Sequence, residues 1–530
     1  MDAATIGSLL KPMNATQIID TIGVFQKSGL NTSEVDIPKV LSVLNVTQIQ
    51  GVLSSNSSVV TTMMQQMTPV QLVTVLHNFQ NVTTNLFKAA ANSTSVEQAT
   101  QYKSVGESLI KTLIDKLQNV FTNQQLLGVF SILSKGAALG TGTKKLLDTA
   151  KDLLGGFYGG VAKNVEIPDR LTNLVHGYQI AEFGDYPSSK DIAPSTIFTV
   201  IFFLFAIVHL LIFLKNFSLG HRFYISFGLF VYSLIRALGF LLRIIWSSDI
   251  TQITLGLVSM IFLTLPTVFL PSLNLILAQR IFTWRHPVYG SSKYFTTLMY
   301  IIYSFVIAVV VMTIIAACVR INFFISEHHL HMTQQIFQAT SVLILLYSSL
   351  SVLLILAAFI IKPSNSDKEI LTYQPHWIKS FNVKYFVPKG SAAQEAKSIP
   401  SSKAHAIRVI HSTSYHYDTT QDQVIQDENS KSLTQNTSIY IIAFSTLLVL
   451  IADCFRCAST FIEQYVYEES WIFKPVVMYV MYGALETLIN LVYIFGRIDL
   501  RFYKPDALKA NALPEPEVDG SSASEYKMQE

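Results

Sequence analysis

The stretch STIFTVIFFLFAIVHLLIFL, residues 195–214, decides the class of this protein. It contains no Lys, Arg, Asp or Glu, and as a helix it is long enough to cross the roughly 30 Å apolar core of a bilayer. The whole chain of 530 residues has only 14% charged residues and a mean hydropathy of +0.39. Since a soluble domain carries about 25% charged residues, this composition excludes a soluble enzyme and indicates a multi-pass membrane protein.

Six further apolar runs of similar length predict an all-α, polytopic membrane protein with seven transmembrane helices. The predicted helices span about 195–214, 223–246, 251–278, 294–319, 335–361, 437–460 and 471–496. They define a membrane domain over residues 194–500, which includes a long loop at 362–436. We expect a helical domain at residues 1–193 and a disordered tail at residues 501–530.

Lys and Arg in the short loops predict the orientation of these helices, because cytosolic loops are enriched in both residues. Eight such cations follow the first, third and seventh helices, whereas the alternate loops hold only Arg320. The eight are Lys215, Arg222, Arg280, Arg285, Lys293, Arg497, Arg501 and Lys504. The rule therefore places residues 1–193 outside the cell, and the carboxyl terminus and loop 362–436 in the cytosol. An intracellular amino-terminal domain stays open as an alternative, because residues 1–30 contain no cleavable signal peptide.

Six sequons fall within the first 100 residues and favour N-glycosylation of an extracellular domain. Their acceptor residues are Asn14, Asn31, Asn45, Asn56, Asn81 and Asn92. A glycan on Asn14 or Asn45 would compete with a second predicted role of these two side chains, the capping of a helix.

The capping role follows from a pattern that repeats in the same domain: a capping residue, Gln three positions later, and then an apolar residue. The pattern begins at Asn14, Asn45, Thr68 and Thr122. It is typical of a capping box, in which the cap and the Gln satisfy each other's backbone N–H groups at the start of a helix. Two interpretations stay open: a helical-repeat domain that displays a ligand- or wall-contacting face, and a plain helical bundle.

Seven of the polar residues within the predicted membrane helices form a candidate network, because a charge there costs about 2.5–3.5 kcal/mol unless it finds a partner or water. They are Arg236, Arg243, Asn274, Asp453, Arg456, Glu486 and Asn490. Counted from the helix ends, Arg236 and Glu486 lie near the midplane, so a pair is geometrically allowed. An outer cluster of Arg243, Asp453 and Arg456 is allowed in the same way. Two interpretations stay open: a site for a ligand, ion or proton, and structural pairing between helices.

Other features of the membrane domain carry weaker predictions. Pro266 and Pro271 interrupt the third helix, which predicts either a bend or a cavity lined by freed carbonyls. His328, His329 and His331 are expected in an outward loop, either as plain exposed residues or as a group that senses pH or binds a metal. We assign no catalytic residue, cofactor or metal site. The balance of 38 basic against 35 acidic residues argues against nucleic acid as a partner.

Two stretches carry a resemblance to known proteins: residues 274–287 read NLILAQRIFTWRHP, and residues 486–502 read ETLINLVYIFGRIDLRF. There the chain resembles a fungal family of seven-helix membrane proteins of unknown function, with a likeness that covers about residues 194–505. More distantly, it is similar to the fungal RTA-like membrane proteins, which are associated with lipid translocation and resistance to toxic compounds. The resemblance implies the seven-helix topology and a fungal plasma membrane, and it does not extend to the amino-terminal domain.

These observations together predict a non-enzymatic, sensor or receptor-like protein of the fungal cell surface. Its expected partners are the lipid bilayer, an unidentified extracellular ligand or substrate, and a cytosolic partner that binds the loop 362–436. Two alternatives stay open. One is a transporter or lipid translocator of the RTA-like type, and the other is a structural organiser that links the cell wall to the plasma membrane.

Overall fold

The computed structural model of the chain describes residues 9–27, 44–55, 57–159, 166–369, 371–372, 386, 389, 410–411 and 435–502. Within these residues the fold is all-α, with seven helices that are long and apolar enough to cross a membrane, as the sequence predicts. A domain of shorter helices precedes them in the chain. Two strands of two residues each, β1 (Leu371–Thr372) and β2 (Ile410–His411), pair antiparallel.

The amino-terminal domain contains eight α-helices within the described residues. They are α1 (Ala15–Lys27), α2 (Val46–Ser54), α3 (Ser58–Gln66), α4 (Pro69–Ala91), α5 (Val96–Asn119), α6 (Asn123–Leu133), α7 (Thr143–Phe157) and α8 (Asp169–Gly177). Apolar side chains from these helices form a common core, in which Leu72 and Phe157 are completely buried. The core continues into the membrane helices through Ile253, Leu257 and Ile321, so the two parts of the chain share buried apolar surface.

The predicted capping pattern forms reciprocal hydrogen bonds at all four of its positions. In each copy the cap side chain accepts from the backbone N–H of the Gln, and the Gln side chain accepts from the backbone N–H of the cap. The four pairs are Asn14–Gln17, Asn45–Gln48, Thr68–Gln71 and Thr122–Gln125. The prediction of four helix starts is therefore confirmed, because a capping box satisfies two N–H groups that a helix leaves without internal partners.

Two of the capping glutamines also donate hydrogen bonds to backbone carbonyls of a segment that comes earlier in the chain. The Nε2 of Gln125 donates to the carbonyls of Met64 and Met67 at 2.9 and 2.6 Å. The carbonyl of Met64 also accepts from the backbone N–H of Met67 at 3.3 Å, and Met67 is the residue that follows α3. Gln48 donates in the same way to three carbonyls between residues 10 and 13. Each of these buried glutamines thus joins the start of one helix to the end of another segment.

The seven membrane helices are numbered from first to seventh along the chain. Their bounds are Ser189–Ser218, Tyr224–Ser248, Ile253–Arg285, Lys293–Asn322, Glu327–Ile360, Thr437–Thr460 and Pro475–Gly496. Shorter helical segments are Pro287–Gly290, Asn365–Glu369, Val466–Glu468, Trp471–Phe473 and Ile498–Arg501.

The largest differences from the predicted bounds are in the third and fifth helices. The third continues to Arg285 instead of ending at residue 278, and the fifth begins at Glu327 instead of residue 335. Hydropathy marks only the apolar part of a helix, whereas the backbone stays helical through polar turns beyond it. His328, His329 and His331 therefore lie in the first turns of a helix and not in a loop. Among the described residues, no group of three or more His, Cys, Asp or Glu could hold a metal ion.

The third membrane helix is interrupted once and not twice. It consists of the segments Ile253–Thr264 and Pro266–Arg285. Pro266 begins the second segment, where the N–H that proline lacks is not needed for a helical bond. Pro271 lies inside that segment without ending it, although its ring removes the helical bond to the carbonyl of Thr267.

Several sequence predictions fall on residues outside the described ones. These are Asn31, Asn56, most of the loop 362–436 and the tail after residue 502. The four sequon residues that are described, Asn14, Asn45, Asn81 and Asn92, all have exposed side chains. The caps formed by Asn14 and Asn45 use the side-chain oxygen, whereas a glycan would be attached to the nitrogen. Capping and glycosylation are therefore compatible at both positions, and glycosylation stays a prediction.

The first testable prediction concerns the buried glutamine Gln125. The change Gln125→Ala removes the cap bond and the Nε2 donor that the carbonyls of Met64 and Met67 share. The carbonyl of Met64 keeps its bond from the N–H of Met67, whereas the loss at the carbonyl of Met67 costs about 1–3 kcal/mol. Gln71→Ala is the matched control, since among the described residues Gln71 bonds only to its cap Thr68. We expect urea unfolding of the full chain in detergent, followed by circular dichroism, to show a loss at least twice as large for Gln125→Ala. Equal losses would contradict the double role of Gln125.

Candidate functional site

The amino-terminal domain lies on one end of the membrane-helix bundle, the proximal end, where the first helix begins and the fourth ends. The backbone N–H of Ala138 donates to the carbonyl of Ile325, in the turn between the fourth and fifth helices, at 2.9 Å. A second contact is an antiparallel bridge between Ile180 and Tyr465, which follows the sixth helix. Backbone hydrogen bonds therefore hold the domain against at least two inter-helix connections.

A cavity of about 130 Å³ lies at the proximal end, between the membrane helices and the segment 180–183 of the amino-terminal part. Side chains from the second to the seventh membrane helix line it. Most of its wall is apolar, and three arginines, Arg243, Arg320 and Arg456, reach it together with Glu182. An apolar cavity with a few convergent polar groups is the usual form of a small-molecule site.

Arg243, from the second helix, is held by the segment that leads into the first helix. Its Nη2 lies 3.7 Å from the Oδ1 of Asp191 and donates to the carbonyl of Gly184 at 2.5 Å. Its Nη1 donates to the carbonyl of Asp185 at 3.1 Å. Its Nε donates to the hydroxyl of Tyr479 on the seventh helix at 3.2 Å. The guanidinium therefore ties the first, second and seventh helices together beside the cavity.

Arg320, at the end of the fourth helix, pairs with Glu182 from the segment before the first helix. Its guanidinium also lies over the ring of Phe337 on the fifth helix, 4.8 Å from the ring centre. Its carbonyl accepts from the N–H of Gly142 at 2.8 Å. A side chain at Gly142 (φ 63°) would come within 2.4 Å of the ring of Phe324, so glycine permits this close approach.

Arg456, from the sixth helix, is the only one of the three cavity arginines without a carboxylate within 4.0 Å among the described residues. Its Nη1 donates to the hydroxyl of Thr267 at 3.0 Å, and its side chain is half-buried. Asp453 turns instead to the fifth helix, where Ser348 donates to its Oδ2 at 2.5 Å. The structure thus does not bring Arg243, Asp453 and Arg456 together. Side chains three positions apart on a helix are offset by about 60° around its axis, and Arg243 is drawn away to other partners.

Arg236 and Glu486 form a two-bond ion pair in the centre of the bundle. The Nε of Arg236 donates to Oε2 at 2.8 Å and its Nη2 pairs with Oε1. Tyr232 donates to the same carboxylate, and Arg236 donates to the carbonyl of Leu263, near the break in the third helix. Both charged side chains are buried, and Glu486 directly follows the π-helical turn Tyr479–Leu485. The group connects the second, third and seventh helices.

The two asparagines of the predicted network occupy different places. Asn490 lies one turn after Glu486, donates to its carbonyl at 2.8 Å and accepts from Ser233 at 3.5 Å. Asn274 accepts from the hydroxyl of Tyr493 at 2.6 Å, further from the proximal end. Asn490 therefore extends the central group, while Asn274 belongs to a separate one.

Sequence reasoning missed the two acids that hold the proximal arginines, Glu182 and Asp191. Both precede the first apolar run, where acidic residues are common and carry no periodic signal. A local signal exists for Asp191, because Ser188 and Asp191 have the spacing of a capping box, and the structure forms one there. Nothing comparable marks Glu182 in the sequence.

Three titratable groups outside the membrane helices lie close to this end. Burial lowers the pKa of His176 to about 4, and its ring contacts that of Tyr186 at a tilt of 55°, with 4.3 Å between the ring centres. Burial, and after it the charge of Asp185, raises the pKa of Glu469 to about 7. Burial also raises the pKa of Asp185 itself. Burial therefore lowers the pKa of His176 and raises that of Glu469 at this end of the bundle.

Comparison with known proteins finds one family model that matches part of the chain, and it gives no function. Residues 287–503 match the model of the family described as "Protein of unknown function (DUF3112)". These residues contain the last four membrane helices and the stretch 486–502, whereas the stretch 274–287 precedes them almost entirely. No curated protein and no solved structure matches the chain. The findings support a multi-pass membrane protein that is similar, over less than half of its length, to a family of unknown function.

The second testable prediction concerns the central ion pair. Arg236→Leu and Glu486→Leu each leave one buried charge without its partner, which typically costs about 3–5 kcal/mol. The double change removes both charges and should recover part of this loss. Recovery stays incomplete because Tyr232 and the carbonyl of Leu263 also lose a partner. The measurement is the monodisperse fraction of tagged protein after heating, by fluorescence-detected size exclusion.

Additive losses in the double variant, or harmless single changes, would show that Arg236 and Glu486 do not face each other. Asn274→Leu serves as the matched control, because it removes a buried polar group of a different network. It should show no coupling to Arg236→Leu.

The third prediction is a pair of opposite pH dependences. As the pH falls from 6.5 towards 4, the unfolded chain protonates His176 and the folded chain does not, so this group destabilises the fold. As the pH rises from 4.5 to 7, the unfolded chain ionises Glu469 before the folded chain does, so this group also destabilises it. We therefore compare the melting temperature of His176→Phe with that of the wild type at each pH, and the difference in favour of the variant should increase as the pH falls. The same difference for Glu469→Gln should grow towards neutral pH, and a difference independent of pH would contradict either assignment.

Proposed function

We propose that this chain is a non-enzymatic, sensor or receptor-like membrane protein that binds a small molecule in the proximal cavity. The observation that carries the proposal is the composition of the cavity wall, which comes from the membrane helices and from the segment 180–183. A molecule in the cavity touches both parts of the chain. Its binding is therefore linked to the position of the amino-terminal domain.

The two proximal ion pairs supply the mechanical link. Glu182 belongs to the segment between the domains and Asp191 to the first turn of the first helix, and their partners Arg320 and Arg243 also line the cavity. A molecule that draws either arginine towards itself weakens that arginine's bond to the segment. Ligand binding and domain docking then share the same side chains, which is the physical requirement for a receptor that reports occupancy at a distance.

We place the proximal end outside the cell. The positive charges of the short loops cluster at the opposite end, and the amino-terminal domain carries four exposed sequon residues. In this orientation the loop 362–436 is cytosolic and available to a partner. The plasma membrane of a fungal cell is the location that the resemblance to the fungal family favours.

A transporter or lipid translocator is the second candidate, and a specific observation favours it. The buried pair Arg236–Glu486 lies beside the break in the third helix and the π-helical turn Tyr479–Leu485. Breaks and π turns in membrane helices occur frequently at sites that bind or move substrates. In this alternative, Arg236 and Glu486 separate and bind other groups while the substrate passes.

The fourth prediction tests the cavity as a binding site. Ala317→Phe, in the cavity wall of the fourth helix, fills the space, whereas Ile315→Phe on the lipid-facing side of the same helix does not. A compound that binds the cavity raises the melting temperature of wild-type protein and of Ile315→Phe, and it leaves Ala317→Phe unchanged. A small-molecule and lipid screen by thermal shift provides the measurement.

The same compound then separates the two candidates. A sensor binds it without moving it, so proteoliposomes should not accumulate it, and hydrogen exchange at residues 138–142 and 180–183 should change. Accumulation that Glu486→Gln abolishes would favour the transporter. A complete screen without any hit that depends on the cavity would overturn the proposal.

A further inference from the structure

We infer that the ligand of the proximal cavity is a small amphipathic anion whose carboxylate or phosphate group is bound by Arg456. This inference rests on the proposed function, and it names the chemical class of the ligand.

The first step is the pairing of charges around the cavity. Arg320 has Glu182 and Arg243 has Asp191, so each of these two guanidinium groups has a carboxylate partner. Arg456 has no such partner among the described residues. An unpaired guanidinium in an apolar membrane site is costly, and an anionic ligand removes that cost.

The second step concerns hydrogen-bond donors. A guanidinium has five N–H donors, and the hydroxyl of Thr267 accepts from one nitrogen of Arg456. Asp453, on the same helix, lies close enough to act on Arg456 through space but forms no ion pair with it within 4.0 Å among the described residues. Donors of Arg456 therefore remain for the cavity that it lines. Carboxylates and phosphates are the groups that a guanidinium binds with two parallel bonds.

The third step is the shape of the remaining space. Much of the rest of the cavity wall is apolar, with Ile261, Ile314, Phe337 and Met478 among its residues. The volume of about 130 Å³ is close to the engineered apolar cavity of about 150 Å³ that binds benzene. The cavity thus fits an anionic group joined to an apolar body of ring size. Such a group comes either from a free organic acid or from the headgroup region of an anionic lipid.

The test uses benzoate and phenyl phosphate as probes and benzyl alcohol as their neutral counterpart. The purified full chain in phosphatidylcholine nanodiscs is titrated with each probe and followed by thermal shift. We expect both anions to stabilise the protein with an affinity at least tenfold higher than that of the alcohol. Arg456→Gln should weaken anion binding at least tenfold, while Arg222→Gln, which removes an exposed cation at the opposite end, should leave it unchanged.

A second arm separates the two sources of the anion. If phosphatidic acid in the nanodisc stabilises wild type but not Arg456→Gln, and suppresses the effect of benzoate, a lipid headgroup is the occupant. If phosphatidic acid has no effect and benzoate does, the occupant is a free acid. Both results support the anionic class. Arg456→Lys, which keeps the charge and loses the two-bond geometry, serves if Arg456→Gln does not fold.

Two results overturn the inference and are distinguishable from each other. The first applies when Ala317→Phe abolishes binding of the probe, so that the cavity is the binding site. In that case the anionic class alone is overturned if benzyl alcohol and benzoate bind with equal affinity, or if Arg456→Gln leaves anion binding unchanged. If no probe or screened compound shows binding that Ala317→Phe abolishes, the proposed cavity function fails together with the inference.

Discussion

The apolar interior of the bilayer imposes the constraint on which this structure depends: a charged side chain in a membrane helix must find its partners within the protein. Arg236 meets this constraint with two bonds to Glu486 and one to the carbonyl of Leu263. These bonds fix the rotation of the second and seventh helices about their axes. Apolar packing alone would fix that rotation weakly, because lipid tails are as apolar as the helix surfaces.

The same constraint explains the docking of the amino-terminal domain. Arg243 and Arg320 lie near the ends of their helices. Glu182, which pairs with Arg320, comes from the segment that joins the two domains, whereas Asp191, which pairs with Arg243, lies in the first turn of the first helix. Removing that segment would leave Arg320 without its counter-charge, and Arg243 without the carbonyls of Gly184 and Asp185. Docking therefore completes the membrane domain, and a cavity remains at Arg456, which docking does not supply with a carboxylate.

Sequence alone predicts the features whose cause is local. Apolar runs reveal membrane helices because one helix must span one bilayer, and a capping box such as Thr122–Gln125 lies within four residues. The pair Arg236–Glu486 can be predicted, because counting residues from the ends of two helices gives the depth of each side chain in the membrane. The pairs of Arg243 and Arg320 could not be predicted, since both of their acids precede the first apolar run and carry no periodic signal, and Glu182 reaches Arg320 only through tertiary docking. The cavity itself depends on that docking and has no sequence signal.

The measurement that tests this account most directly is a cross-link between residues 138 and 325, whose backbones are joined by a hydrogen bond of 2.9 Å. Cysteines replace Ala138 and Ile325 in a full chain whose three native cysteines are changed to alanine, and a short bismaleimide is applied to membranes. A docked amino-terminal domain predicts an efficient intramolecular link. It predicts none between position 138 and the exposed Tyr289, which follows the third helix at the opposite end of the bundle. A missing 138–325 link, or an efficient 138–289 link, would contradict the arrangement that forms the cavity.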